Sequence, residues 1–171
     1  TIFLDEIGEL GADAQAKLLR VIEEKTVRRL GGLQDVSVDV RMIAATNRDP
    51  AAEVAAGRLR KDLYYRLNVL TVTLPPLRER GDDVLLIAQH VLAKYSREMG
   101  RSLEGFSPEA AAALRAYPWP GNVRELENVV ERAVALESEP RVQLGTLPEN
   151  LRTGRPSTPV GGADGGDLGD A

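Results

Sequence analysis

The sequence predicts an α/β fold that gives way to a helical region, and three observations predict it. Ile2, Phe3 and Leu4 form a short apolar run closed by Asp5 and Glu6. Met42, Ile43, Ala44 and Ala45 form a second, closed by Thr46 and Asn47. Apolar runs this short fit strands buried on both faces of a sheet. Further on, apolar residues recur every three or four positions, first at Val84, Ile87, Ala88, Val91, Leu92 and Tyr95, then at Val123, Leu126, Val130, Ala133 and Val134. That is the spacing of amphipathic helices.

The remaining elements follow in order. Ala14, Leu18, Leu19 and Ile22 mark the apolar face of a helix over roughly residues 12–24, with Gln15, Lys17, Arg20 and Glu23 on its other faces. Residues 26–30 and 36–40 flank Gly31-Gly32 and suggest a hairpin. Residues 50–57 read as a short helix, with Pro50 near its start and Gly57 as its stop. The charged stretch 59–67, LRKDLYYRL, comes next. Residues 69–74 alternate as a strand ended by Pro75-Pro76, and 77–83 read as a linker between domains. Gly100 and Gly105 mark a loop, and Ser107-Pro108 opens a helix that buries Ala110, Ala113, Leu114 and Tyr117. Asn122 with Glu125 makes a capping-box-like start for the last helix. From Thr153 onward the chain is rich in Gly, Pro and Asp and reads as a flexible linker or disordered tail.

Composition narrows the function. The chain has 171 residues and no Cys, so no disulfide framework or thiolate metal site is available. No apolar run approaches the ~20 residues of a membrane-spanning helix. Half of the net charge of −4 lies in the tail, which carries Arg155 against Asp164, Asp167 and Asp170. A near-neutral body does not suit DNA binding through a broad basic face. The chain begins at Thr1 inside what reads as a central strand, which needs neighbours on both sides, so a piece of a longer protein is expected.

The first strand carries the chemistry. Carboxylates at a parallel strand's carboxyl end stand at the crevice where open α/β sheets bind ligands. Adjacent side chains on a strand point to opposite faces, so Asp5 and Glu6 can act together only where the strand is ending. This is the layout of a Walker B element, in which the first acid holds Mg²⁺ and the second orients or deprotonates water. It equally fits a strand that stops at an exposed acidic turn. Thr46 and Asn47 likewise fit a polar pair delivered beside those acids or a simple strand-end turn. Trp119 and Pro120 read as packing and His90 as an exposed helix residue, while Arg78 and Arg80 fit either the lining of a ligand site between the two lobes or, better, the hold of the linker.

FLDEIGEL, QAKLLRVIEE, DVRMIAATNRD, RKDLYYRLNVL, LPPLRERGDD and WPGNVRELENVVERAV occur in this order. Together, over about residues 1–151, they resemble the central AAA+ domain of bacterial enhancer-binding proteins, the ATPases that activate sigma-54 RNA polymerase. The resemblance implies the C-terminal part of a AAA+ parallel-sheet core over residues 1–80, a helical lid over 81–152 and a tail over 153–171. It implies ATP and Mg²⁺ as ligands, with Asp5 coordinating the metal and Glu6 activating water. Thr46 and Asn47 take the sensor I position and Arg124 the sensor II position. Arg60 and Arg66 match two arginines that act in a neighbouring subunit's site. Six residues apart on a helix at about 100° per residue they share no face, so both reach one phosphate only if Arg60 lies at or before the helix start. Either also fits an exposed pair with Asp62. Lys61 and Leu59 depart from the acidic and aromatic residues of the family pattern. Arg124 sits in a first helical turn, where the helix dipole disfavours a cation, and this favours a ligand role over a capping one.

The implied partners are the sigma-54 RNA polymerase holoenzyme and further copies of the chain in a ring, a hexamer, with DNA bound through a separate domain. The implied setting is cytoplasmic, with no membrane. The sequence contains no GxxxxGK[ST] phosphate loop and no GAFTGA loop. The isolated 171 residues are therefore expected neither to hydrolyse ATP nor to be very stable. A different AAA+ remodeller and an inactive interaction module are the alternatives.

Overall fold

The computed structural model describes residues 1–29, 31–32 and 34–154, so the expected tail lies outside the described residues from position 155 onward. The chain forms two compact units, Thr1–Thr73 and the part from Leu74 onward. No helix among the described residues is long and apolar enough to cross a membrane.

In the first unit, strand β1 (Ile2–Leu4) pairs in parallel with β4 (Met42–Ala44) in the register Ile2↔Met42, Phe3↔Ile43, Leu4↔Ala44. The ladder runs on past both strands: Ala45 N–H donates to Leu4 O at 2.8 Å and Ile7 N–H to Ala45 O at 3.1 Å. A parallel pair needs a crossover. Helix α1 (Ala12–Glu24) and the antiparallel hairpin of β2 (Thr26–Arg28) and β3 (Asp35–Ser37) fill it. Helix α2 (Pro50–Ala55) follows, with the Asp49 carboxylate accepting from Ala51 N–H and Ala52 N–H and Pro50 in the first turn. Helix α3 (Lys61–Leu67) comes next.

Three expectations are corrected in this unit. Neither β1 nor β4 is buried on both faces: the register partners Phe3 and Ile43 share one face of the sheet and are 60% and 43% exposed, so that face is open to solvent. Residues 69–74 form no strand. They have strand-like alternation but no neighbour among the described residues to complete a ladder, and Val69, Leu70, Val72 and Leu74 are exposed. Gln15, expected on a polar face of α1, is buried, whereas Ala14 is exposed. Among the unit's described residues, the buried apolar side chains are Ile7, Leu59 and Leu63.

The second unit is helical and has the larger core. Helices α4 (Asp83–Glu98), α5 (Pro108–Ala116) and α6 (Asn122–Leu136) pack around Ala88, Leu92, Leu114, Leu126, Val130 and Trp119. Leu77, expected in a linker, is 1% exposed and belongs to this core. The Ser107 hydroxyl accepts from Ala110 N–H, so α5 starts as expected. The start of α6 differs from expectation. Gly121 is its cap residue, and Glu125 reaches back to Gly121 N–H at 2.8 Å. Asn122, at φ +51°, instead accepts from Leu77 N–H at 2.8 Å. Val129 is buried on α6, and Val123 is exposed. Two-residue strands β5 (Gly105–Phe106) and β6 (Arg141–Val142) pair in parallel, and α7 (Glu149–Thr153) closes the unit. Burial pushes the Glu137 carboxyl up, but Gln143 N–H, the Thr146 hydroxyl, Glu139 N–H and Ser138 N–H all donate to it and hold it below its ordinary value.

Candidate functional site

The two strand ends that carry Asp5, Glu6, Thr46 and Asn47 lie side by side, because Leu4 and Ala44 are register partners. The chain turns sharply after Asp5. Glu6 takes φ +51°, ψ +45°, a left-handed conformation unusual for a residue with a long side chain, and its N–H donates to Asp5 Oδ1 at 2.9 Å. The turn resolves the geometric difficulty of adjacent acids, since neither residue is held in alternating strand geometry. Asp5 and Glu6 are both exposed. Ile7 is buried beneath them and anchors the turn. A Cβ placed on Gly8 would lie 3.2 Å from Thr46 Oγ1, so the acidic turn and the end of β4 pack closely at residue 8, and a side chain there would push Thr46 aside by a few tenths of an ångström. Thr46 Oγ1 also accepts from Arg48 N–H at 3.2 Å, and Asn47 is exposed.

Two of the arginines flank and end α3. Arg60 is the residue immediately before the helix, with extended dihedrals of φ −65° and ψ +134°. It therefore meets the condition under which it and Arg66 need not share a helical face. Its guanidinium is engaged by Asp62 in a two-pronged pair at 3.0 and 2.7 Å, which holds the Asp62 carboxyl down to about 2. Both partners are about half exposed, where solvent screens the pair. Arg66 is exposed in the last turn of α3, and no described residue pairs with it. Arg124 lies in the second unit, exposed in the first turn of α6. Arg78 and Arg80 pair with Glu79 and Asp83, and His90 is exposed.

Four charged residues beyond the predicted set connect these pieces. Arg48, just past Asn47, pairs with Glu9, just past the acidic turn, and reaches Glu53 at 3.3 Å. Glu53, buried on α2, also receives Arg58 at 2.8 and 2.7 Å. The Arg58 guanidinium draws the Glu53 carboxyl down, burial opposes this, and Arg48 adds to the fall, leaving it at about 2. A carboxyl lowered on folding stabilises the folded state above its unfolded value and ceases to do so as pH falls through its folded one. Amide hydrogen exchange across residues 50–67 is therefore expected to be slower in wild type than in Glu53→Gln at neutral pH. The gap closes as pH drops from about 5 towards 2. A gap that stays constant over that range contradicts the assignment.

Among the described residues, no cluster of three or more His, Asp or Glu side chains could hold a metal alone. Asp5 offers a single exposed carboxylate. That fits Mg²⁺, which takes one or two carboxylates and completes its shell with phosphate oxygens and water.

Residues 1–73 match the family model of the sigma-54 interaction domain, and residues 78–163 match that of the AAA+ ATPase lid domain. The chain belongs to the sigma-54 activator family of AAA+ ATPases. It is 52% identical over 157 residues to the nitrogen fixation protein AnfA of Azotobacter vinelandii, which covers 92% of this chain and 30% of that protein. It is 51% identical over 160 residues to the transcriptional regulatory protein ZraR of Escherichia coli K12, covering 94% of this chain and 35% of that one. The chain thus spans about a third of the length of these relatives. Among solved structures, NtrX of Brucella abortus in complex with ATP superposes with a TM-score of 0.82 at 33% identity, covering 94% of this chain and 37% of that one. The α/β unit followed by a helical lid is the AAA+ arrangement that the motifs implied.

Proposed function

We propose that this chain supplies the acid pair, the strand-end sensor and the arginines of a ring-forming ATPase that remodels sigma-54 RNA polymerase to activate transcription. The observation that carries this reading is the convergence of two strand ends, with Glu6 in a left-handed conformation and Gly8 packed on Thr46 Oγ1. Departures from ordinary backbone geometry collect at sites where a side chain must be aimed. Family membership and the NtrX–ATP likeness support the choice of ATP as substrate.

In this reading Asp5 would hold Mg²⁺, which, bound with ATP, neutralises charge on the phosphate oxygens. Glu6 orients and deprotonates the attacking water. Thr46 and Asn47 stand beside it and respond to the terminal phosphate. Arg60 leaves Asp62 and, with Arg66, reaches the site of the adjoining subunit, where a positive fork stabilises charge on the transferred phosphoryl group. Arg124 is the nucleotide-sensing arginine of the lid. The ring is a hexamer, and a separate domain binds DNA.

The test uses a hybrid in which residues 1–154 replace the matching stretch of ZraR of Escherichia coli. Glu6→Gln in the hybrid is expected to lower ATP turnover by about 10²–10⁴-fold while ATP binding persists, the range for loss of a general base. Unchanged turnover overturns the role of Glu6. A wild-type hybrid that assembles and binds ATP but does not turn it over overturns the reading as a whole.

A further inference from the structure

We infer that Gln15 is a positioning residue for Arg60: its side-chain amide ties the backbone on both sides of Leu59 to helix α1 and so fixes where α3 begins. The inference rests on the reading above, in which Arg60 acts in a neighbouring subunit's site.

Gln15 is 1% exposed and uses both of its amide hydrogens and its carbonyl oxygen. Nε2 donates to Leu10 O at 2.7 Å and to Arg58 O at 2.8 Å, and Oε1 accepts from Arg60 N–H at 2.8 Å. The segment it holds has no regular structure of its own. Helix α2 ends at Ala55, Gly57 takes φ +72°, and α3 begins only at Lys61. The first half of this turn is held from α2, where Glu53 O accepts from both Arg58 N–H and Leu59 N–H. The second half is held by Gln15. Arg60 O accepts the first hydrogen bond of α3, from Tyr64 N–H at 3.0 Å. The Gln15 carbonyl thus grips Arg60 through its N–H, on the residue whose own carbonyl starts the helix and whose guanidinium must be aimed.

Chemistry restricts what could replace it. Two carbonyls and one N–H converge on a single buried point, so the side chain there needs two donors and an acceptor at that reach. Asn is one methylene shorter. Glu has no donors for the two carbonyls, and Leu or Met has neither group. A position that merely filled space between α1 and α3 would be apolar, because burying an amide costs free energy unless all of it is bonded.

The experiment uses the same hybrid and measures assembly, ATP titrations, hydrogen exchange at Arg60 and turnover of mixed subunits. Gln15→Met preserves volume and removes all three bonds. It is expected to assemble, leave KM for ATP unchanged, speed exchange at Arg60 and lower kcat by about a hundredfold, the effect of a displacement near 1 Å. Mixed with Glu6→Gln subunits it regains turnover, because its own intact acids then meet a correctly aimed arginine from the neighbour. Arg60→Ala mixed with Glu6→Gln is the control. If the control does not recover, the trans role of Arg60 fails, whatever Gln15 does. If the control recovers and Gln15→Met does not, the inference about Gln15 fails alone. Unchanged kcat also overturns it. So does loss of assembly or a raised KM in both Gln15→Met and Gln15→Leu, which assigns Gln15 to folding.

Discussion

Replacing Arg66 with Ala in the hybrid is expected to reduce ATP turnover by about 10³–10⁵-fold, the range for loss of an arginine that stabilises phosphoryl charge in trans. ATP affinity and ring assembly are expected to persist. The geometry makes the prediction sharp. Arg66 is exposed, has no described partner and ends a helix whose start is fixed at Arg60. The competing explanation is structural, since a cation in the last turn of a helix is mildly stabilising. Arg66→Lys separates the two. Lys keeps the charge and the favourable dipole interaction but loses the planar fork, so turnover stays low if Arg66 grips a phosphate and returns if it only steadies α3. Steady-state ATPase measured beside nucleotide-binding titrations decides between them.

The second large effect lies in the lid. Trp119→Ala is expected to destabilise the second unit by about 3–5 kcal/mol, the range for deleting a large buried aromatic. For a unit of this size that is a fall of more than about 10 °C in its melting temperature. Trp119 is fully buried, its indole N–H donates to Leu114 O at 2.8 Å, and its ring meets Tyr117 edge-on at 5.0 Å. Truncation opens a cavity and leaves a buried carbonyl unpaired. It also leaves a non-glycine residue at φ +49°, so no backbone strain is released in exchange. Trp119→Phe retains much of the volume and is expected to lose less. Circular dichroism through the helical melt reads the effect without relying on the chain's single Trp. A melt unmoved by Trp119→Ala contradicts the packing role.

Much of the fold was legible because periodicity reports burial. The apolar stripes on α4 and α6, the Ser107 cap and the bounds of α1 came from spacing and capping chemistry, both local properties of the chain. What spacing could not reveal was what each segment packs against. Residues 69–74 alternate as a strand does, yet a strand is defined by its neighbour, and none pairs with them among the described residues. Strands β5 and β6, two residues each, are too short to carry a pattern. The acid pair and Thr46 were readable as strand ends. The left-handed turn at Glu6 was not, because nothing in its side chain favours that conformation.

Gln15 is instructive because the signal was present. It lies three, four and seven residues before Leu18, Leu19 and Ile22, on the apolar stripe, and its polarity directed attention to Ala14 instead. A polar residue at an apolar position of an amphipathic helix indicates a buried hydrogen-bonding centre. The chain of Glu9, Arg48, Glu53 and Arg58 had no comparable signal, since charges on short helices and turns are ordinarily solvated. Asn122 shows a different confusion. An Asn ahead of a Glu suggested a reciprocal cap, but Glu125 caps the helix with Gly121 while Asn122 fastens Leu77.

Subunit mixing in the hybrid tests the central claim most directly. Glu6→Gln subunits have intact arginines, and Arg66→Ala subunits have intact acids. Each alone is expected to be inactive, and an equimolar mixture is expected to regain a substantial fraction of wild-type ATPase, because the acids of one subunit meet the arginine of the next. A mixture that co-assembles and stays as inactive as its parents would contradict a shared site between protomers.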